Sequence, residues 1–177
     1  MVKKSTSKKK KPVHLEIERK FLLKRFPKKV IEKYKKGLQR LDMVQYYFLI
    51  NGVWQRYRVV DSEGKKTKYV HTIKKSLSPG IYEENERTIK EKEFLSKKNE
   101  HKDNYAVIRK TRWVIKYKGL KFEIDAYLDL SMVILEVELP ALNHHFEYPE
   151  GLFEEIVMEA TGMKQFSNFS LALKVKK

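Results

Sequence analysis

Six segments of the chain carry ionisable residues at every second position. They are Glu16, Glu18 and Lys20 within "HLEIERKFLL", then Arg56/Arg58, Glu84/Glu86, Lys110/Arg112, Glu123/Asp125 and Glu136/Glu138. A period of two belongs to the β-strand, in which residues i and i+2 project from one face roughly 6.6 Å apart. Each segment therefore pairs a charged face with a largely apolar one, such as Leu15, Ile17 and Phe21, or Phe122 and Ile124, or Leu135, Val137 and Leu139. "WQRYRVV", "YVHTIKK" after the turn "DSEGKK", "RKTRWVIKY", "LKFEIDAYLDL" and "MVILEVEL" extend the pattern to a set of strands. "HLEIERKFLL" taken alone also fits a helix, because Leu15, Leu22 and Phe26 share a helical face and Glu16 and Lys20 form an i,i+4 pair. Its neighbours have to arbitrate.

Helical periodicity is confined to short stretches. "KRFPKKVIEKYKK" (24–36) places Phe26, Val30, Ile31 and Tyr34 at helical spacing behind a proline. "KEKEFLSKKN" (90–99) predicts a second helix, and "SNFSLALK" (167–174) a closing turn or two. "EGLFEEIVMEATG" (150–162) reads as another, with Leu152, Phe153, Ile156, Val157 and Ala160 inward and Gly162 ending it.

The 177 residues suit one domain, spanning 13–177, behind a basic arm at 1–12, "MVKKSTSKKKKP". The arm repeats like charges with nothing to bury, so it is expected to be a disordered, solvated tail with a weak nucleic-acid contact as the alternative. The net charge of +16 favours anionic partners without choosing among them. The absence of cysteine removes thiolate chemistry and suits a reducing compartment, so the cytoplasm is expected. No apolar run approaches a membrane span, and no membrane contact is expected. The five histidines fit no metal-ligand spacing, and neither a Walker-type glycine loop nor a nucleophile beside a base is legible.

Two architectures fit the alternation. One is a sandwich or barrel with its charges in water. The other is a closed barrel with charges inward around an ionic ligand. The pairs are sorted by sign, whereas a merely soluble face mixes signs. The helices also supply apolar surface for the outside of a sheet. Carboxylate pairs suit a hard divalent cation, and Lys and Arg suit phosphate oxygens.

"EIERKFLL" resembles the Glu-x-Glu-x-Lys signature of the CYTH superfamily, the triphosphate tunnel metalloenzymes. In that family's order follow "QYYF" (45–48), "RYR" (56–58), "TIK" (72–74), "ENE" (84–86), Lys110 to Trp113, "FEID" (122–125), "LEVEL" (135–139) and "FSNFSLA" (166–172). The resemblance implies an α+β fold: a closed eight-stranded antiparallel β-barrel with a few helices packed outside. It implies metal ligands at Glu16, Glu18, Asp125, Glu136 and Glu138, for Mg²⁺ or Mn²⁺. Lys20, Arg56, Arg58, Lys74, Lys110 and Arg112 become the phosphate clamp, with Tyr47 near the substrate end. Lys20, Glu86 and Glu84 take catalytic parts. For Glu123 and Glu84 a structural ion pair weighs equally with a catalytic role, and for Lys116 and Lys118 a solvated face is expected.

The implied activity is metal-dependent hydrolysis of inorganic or nucleoside triphosphate, closest to bacterial-type inorganic triphosphatases. Class IV adenylate cyclase and RNA 5′-triphosphatase use the same ligands, and a polyphosphate or nucleic-acid binding module is the non-enzyme alternative. A homodimer is compatible with such folds. Two departures bear on the substrate: Phe166 and Phe169 stand where Tyr and Lys commonly flank the final Asn, and "YEENERT" lacks the usual basic residue just before its acidic pair.

Overall fold

The computed structural model describes residues 14–176. The basic arm at 1–12 lies outside the described residues. Every strand pairing is antiparallel, in the order β5-β4-β3-β2-β6-β7-β8-β1-β9, and a further pairing of β5 with β1 closes eight strands into a barrel. The strands are β1 (His14–Leu23), β2 (Gln39–Ile50), β3 (Val53–Asp61), β4 (Lys68–Ser78), β5 (Ile81–Ile89), β6 (Tyr105–Tyr117), β7 (Leu120–Tyr127), β8 (Val133–Glu138) and β9 (Ile156–Glu159). The helices are α1 (Lys28–Lys33), α2 (Glu91–Glu100) and α3 (Asn168–Val175). "HLEIERKFLL" is thus a strand, and three of the four expected helices are present.

The strands turn their apolar sides outward, where other elements cover them. Phe21, Leu23, Ile115, Phe122, Ile124, Leu135 and Val137 pack beneath Val30 and Ile31 of α1 and beneath Leu152. Around the other half of the wall, Phe48, Tyr57 and Ile89 pack under Phe94 of α2. Burying each such side chain contributes about 1.5–3 kcal/mol, so these layers fix which face of the sheet points inward. At one end the interior itself turns apolar: Tyr47, Ala106, Ile108, Tyr127 and Ile134 meet Leu171 and Ala172 of α3, which plugs the barrel there.

The segment 150–162 departs from its helical reading. It forms a 3-10 turn at Phe153–Glu155 and then β9, which pairs with Phe21–Leu23 of β1. Leu152 and Ala160 are buried, but Phe153 and Val157 are exposed. The β-branched Ile156 and Val157 favour the strand, and β1 offers a free edge beyond the point where β5 leaves it. At that junction Gly80 (φ +74°) accepts a hydrogen bond from the Glu18 amide at 2.9 Å. A Cβ there would stand 2.7 Å from the Glu18 carbonyl oxygen and 2.8 Å from Thr161 Cγ2.

Candidate functional site

Because the outer faces are apolar, strand alternation delivers the charged residues inward. They line a cavity of about 950 Å³ to which β1 contributes Glu16, Glu18 and Lys20, β3 Arg56 and Arg58, and β4 Thr72 and Lys74. Further round the wall stand Glu84 and Glu86 of β5, Lys110 and Arg112 of β6, Glu123 of β7, and Glu136 and Glu138 at the end of β8. Gln45 and Tyr47 of β2 complete it. Antiparallel register sets Lys20 opposite Glu136, Lys74 opposite Glu84, and Arg112 opposite Asp125. Cross-strand neighbours lie close enough for their side chains to interact, so cations and carboxylates meet in a network.

On one side Lys74 Nζ touches Glu16 and lies 3.4 Å from Glu18 and 3.7 Å from Glu84. Arg56 reaches Glu84 at 3.2 Å and Glu86 at 3.7 Å, and Arg58 holds Glu86. Thr72 accepts from Arg56 and donates to Glu86 at 3.0 Å. On the other side Arg112 grips Asp125 through Nε and Nη2, both at 2.7 Å, reaches Glu136 at 2.6 Å and contacts Glu123. Lys110 donates to Asp125 and, at 3.2 Å, to Asn168 Oδ1. Lys20 joins the two sides, 2.9 Å from Glu136 and 3.5 Å from Glu18.

Buried charges persist only when paired, and their protonation follows their partners. Burial opposes the charge of Lys20, but Glu136 and Glu18 outweigh it and raise its pKa. Burial likewise opposes ionisation of Glu136, yet Lys20, Lys110 and Arg112 hold it well below the carboxylate range. For Glu86, Arg58 and Thr72 overcome burial and lower the pKa. Burial raises Glu16, with Glu84 adding to it against the pull of Lys74. Burial and the neighbouring Arg112 bring Lys110 down to about 8 despite Asp125, and burial with Arg56 lowers Arg58 to about 10.

The network leaves gaps. Gln45 Nε2 and Oε1, Arg56 Nε, Arg58 Nε and Glu84 Oε2 are buried without a hydrogen-bond partner. Glu16 Oε2 is in the same position: it touches Lys74 Nζ without meeting it in hydrogen-bond geometry. Glu18 faces Glu138 directly across β1 and β8, and Glu123 faces Glu136 across β7 and β8. Like charges directly opposite repel. This donor set, all carboxylate oxygen with like charges set opposite one another, fits a hard divalent cation. Among the described residues, no group of three or more His, Asp or Glu is already gathered as a metal cage.

Of the fourteen site residues expected from sequence, thirteen line this cavity, and Asp125 stands apart from the rest. It is fully buried, spent on Lys110 and Arg112, and does not reach the cavity wall. Glu123 reaches the cavity through its contact with Arg112, whereas Lys116 and Lys118 are exposed outside. Thr72, Gln45, Tyr82 and Asn168 also line the cavity. Of these, Thr72 shares the period of Lys74, and that was the signal available for it. Gln45 likewise shares the period of Tyr47 and opens the quoted "QYYF", and Tyr82 shares the period of Glu84 and Glu86.

A closed antiparallel barrel filled with paired charges instead of apolar side chains defines a ligand-binding tunnel. The family model described as CYTH domain matches residues 14–171, and the chain belongs to that family, whose tunnels bind triphosphates and are in general metal-dependent. Solved structures share the fold, among them the following two. The crystal structure of the hypothetical protein NE1496 is 24% identical over 89% of this chain and 97% of that one, with a TM-score of 0.52. PH1819 protein from Pyrococcus horikoshii OT3 is 16% identical over 72% of this chain and 80% of that one, with a TM-score of 0.54. No curated protein matches the sequence. No helix among the described residues is long and apolar enough to cross a membrane.

Proposed function

We propose that the protein hydrolyses the terminal phosphoanhydride of inorganic triphosphate or a nucleoside triphosphate inside the tunnel, with Mg²⁺ or Mn²⁺. The observation that carries this reading is one cavity holding both Lys20, Arg56, Arg58, Lys74, Lys110 and Arg112 and a set of mutually opposed carboxylates. A polyanion needs the first group. A pure anion binder gains nothing from the second.

In this reading the arginines grip non-bridging phosphate oxygens through their planar forks, and the lysines act as point charges. Tyr47 donates to the chain near its end. Glu16, Glu18, Glu136 and Glu138 would hold the metal, whose charge, when bound, offsets that of the phosphoryl oxygens. Asp125 acts differently, by holding Lys110 and Arg112 in place.

Glu86, kept ionised by Arg58, orients a water toward the terminal phosphorus, with Glu84 beside it. The water oxygen bonds to phosphorus and the bridging P–O bond breaks. Its electron pair leaves with pyrophosphate or nucleoside diphosphate, and one water proton passes to Glu86. The leaving oxygen stays covered by the clamp. Phosphoryl transfer asks little covalent chemistry of a protein, so positioning and charge supply the catalysis.

One assay panel tests this: inorganic triphosphate, ATP and 5′-triphosphate RNA, each with Mg²⁺ and with Mn²⁺. The expected product is orthophosphate. Cyclic AMP with pyrophosphate would instead establish a cyclase, and tight metal-independent binding without turnover a binding module. Glu18→Gln is expected to abolish metal-dependent turnover while leaving metal-free triphosphate binding in place. An unchanged rate would remove Glu18 from the site.

A further inference from the structure

Gln45 lines the cavity, is fully buried, and has no partner for either polar atom of its amide. It stands opposite Arg58 on β3 and opposite Ile108 on β6. A buried amide left unpaired destabilises a fold, while a thioether or aliphatic chain of the same size at that place would not. No protein group among the described residues therefore offsets the burial of this amide. A group that enters the cavity can satisfy it.

The neighbours say what kind of group that is. Arg56 Nε and Arg58 Nε, on the adjacent strand, are also buried and unpartnered. Three N–H donors from β2 and β3 thus stand unmet on one stretch of wall, and a ligand that meets them must present several acceptor oxygens. A phosphate chain does so.

We propose that Gln45 is a substrate-binding residue whose Nε2 donates to a non-bridging phosphate oxygen seated beside Arg58, adding a neutral donor to a cationic clamp. The inference rests on the triphosphate reading above. Neutrality has a physical reason at this position. A third cation beside Arg56 and Arg58 would be desolvated and repelled by both, whereas an amide donates without repulsion. Its Oε1 is left to accept from a water or from a protonated phosphate oxygen.

The test uses the full chain and two variants, Gln45→Met, which keeps the volume without the amide, and Gln45→Asn, which keeps the amide one methylene short. Thermal melting without ligand is measured beside calorimetric titration with inorganic triphosphate, with and without Mg²⁺, and steady-state kinetics. Gln45→Met is expected to melt at or above the wild-type temperature, yet to bind triphosphate about 10–100-fold more weakly and to raise KM by a similar factor. Gln45→Asn is expected to bind with intermediate strength. Wild-type affinity in Gln45→Met would overturn the proposal. So would weaker binding accompanied by a lower ligand-free melting temperature in both variants, since glutamine would then be serving packing. A wild-type protein that binds no triphosphate would sink the underlying reading, and this inference with it.

Discussion

Asp125→Asn removes one negative charge from the most enclosed part of the site. Asp125 is 0% exposed, and the side chains of its partners Lys110 and Arg112 are 1% and 10% exposed. Its two oxygens accept from Arg112 Nε and Nη2 at 2.7 Å and from Lys110 Nζ. An asparagine presents N–H donors where two cations also present donors. Arg112 keeps Glu136 at 2.6 Å and its contact with Glu123, but Lys110 keeps, among the described residues, one hydrogen-bond partner, Asn168 Oδ1 at 3.2 Å. Breaking a buried pair costs about 3–5 kcal/mol, and the surviving partners of Arg112 argue for about 3. In a domain of this size each kcal/mol moves Tm by about 2–4 °C, so a fall of about 6–12 °C is expected. The assay is thermal and urea unfolding of ligand-free, metal-free protein. Sulfate or phosphate should restore part of the loss by supplying the missing negative charge. A change below about 1 kcal/mol would refute the argument. An increase in ligand-free stability would refute it more sharply, because deleting a carboxylate reserved for a metal relieves repulsion with Glu123 and Glu136 instead of stranding two cations.

Two other sites give independent checks. Gly80→Ala forces a Cβ onto the Glu18 carbonyl in a left-handed backbone, so a loss of about 2 kcal/mol or more is expected in unfolding, with faster hydrogen exchange at the Glu18 amide. Wild-type exchange there would show that the seam between β5 and β9 is not held by this contact. Asp129 accepts from the Arg109 amide at 2.9 Å and from its guanidinium, which holds its pKa below the usual 3.8. Because the folded value is depressed, its contribution is present at neutral pH and is lost as pH falls below 3.8. Asp129→Asn should therefore cost about 1 kcal/mol at pH 7 and nothing in stronger acid; a pH-independent difference would contradict this.

Much of the site was legible because charge on alternate residues is a one-dimensional signal. Glu16, Glu18, Lys20, Arg56, Arg58, Lys110 and Arg112 could be grouped onto strand faces before any pairing was known. The segment 150–162 misled for the converse reason. Leu152, Ile156 and Ala160 satisfy a helical period, but the vacant edge of β1, which is remote in sequence, captures Ile156–Glu159 as a strand.

What the sequence by itself determined is most of the strand content and the sign of each face, since these depend on residue type and local spacing, while the ordered motifs carried the resemblance to a tunnel family. Alternation is symmetric, however, and cannot say which face is inside. That was decided by α1 and α2, which cover the apolar faces, and by the β1–β5 pairing that closes the wall. Tertiary structure alone also separated Asp125, spent on two buried cations, from the carboxylates that reach the cavity, and revealed Gln45 as an unmet amide. Both distinctions concern which partner satisfies a buried polar atom. Partners that lie on different strands are brought together only when the barrel closes.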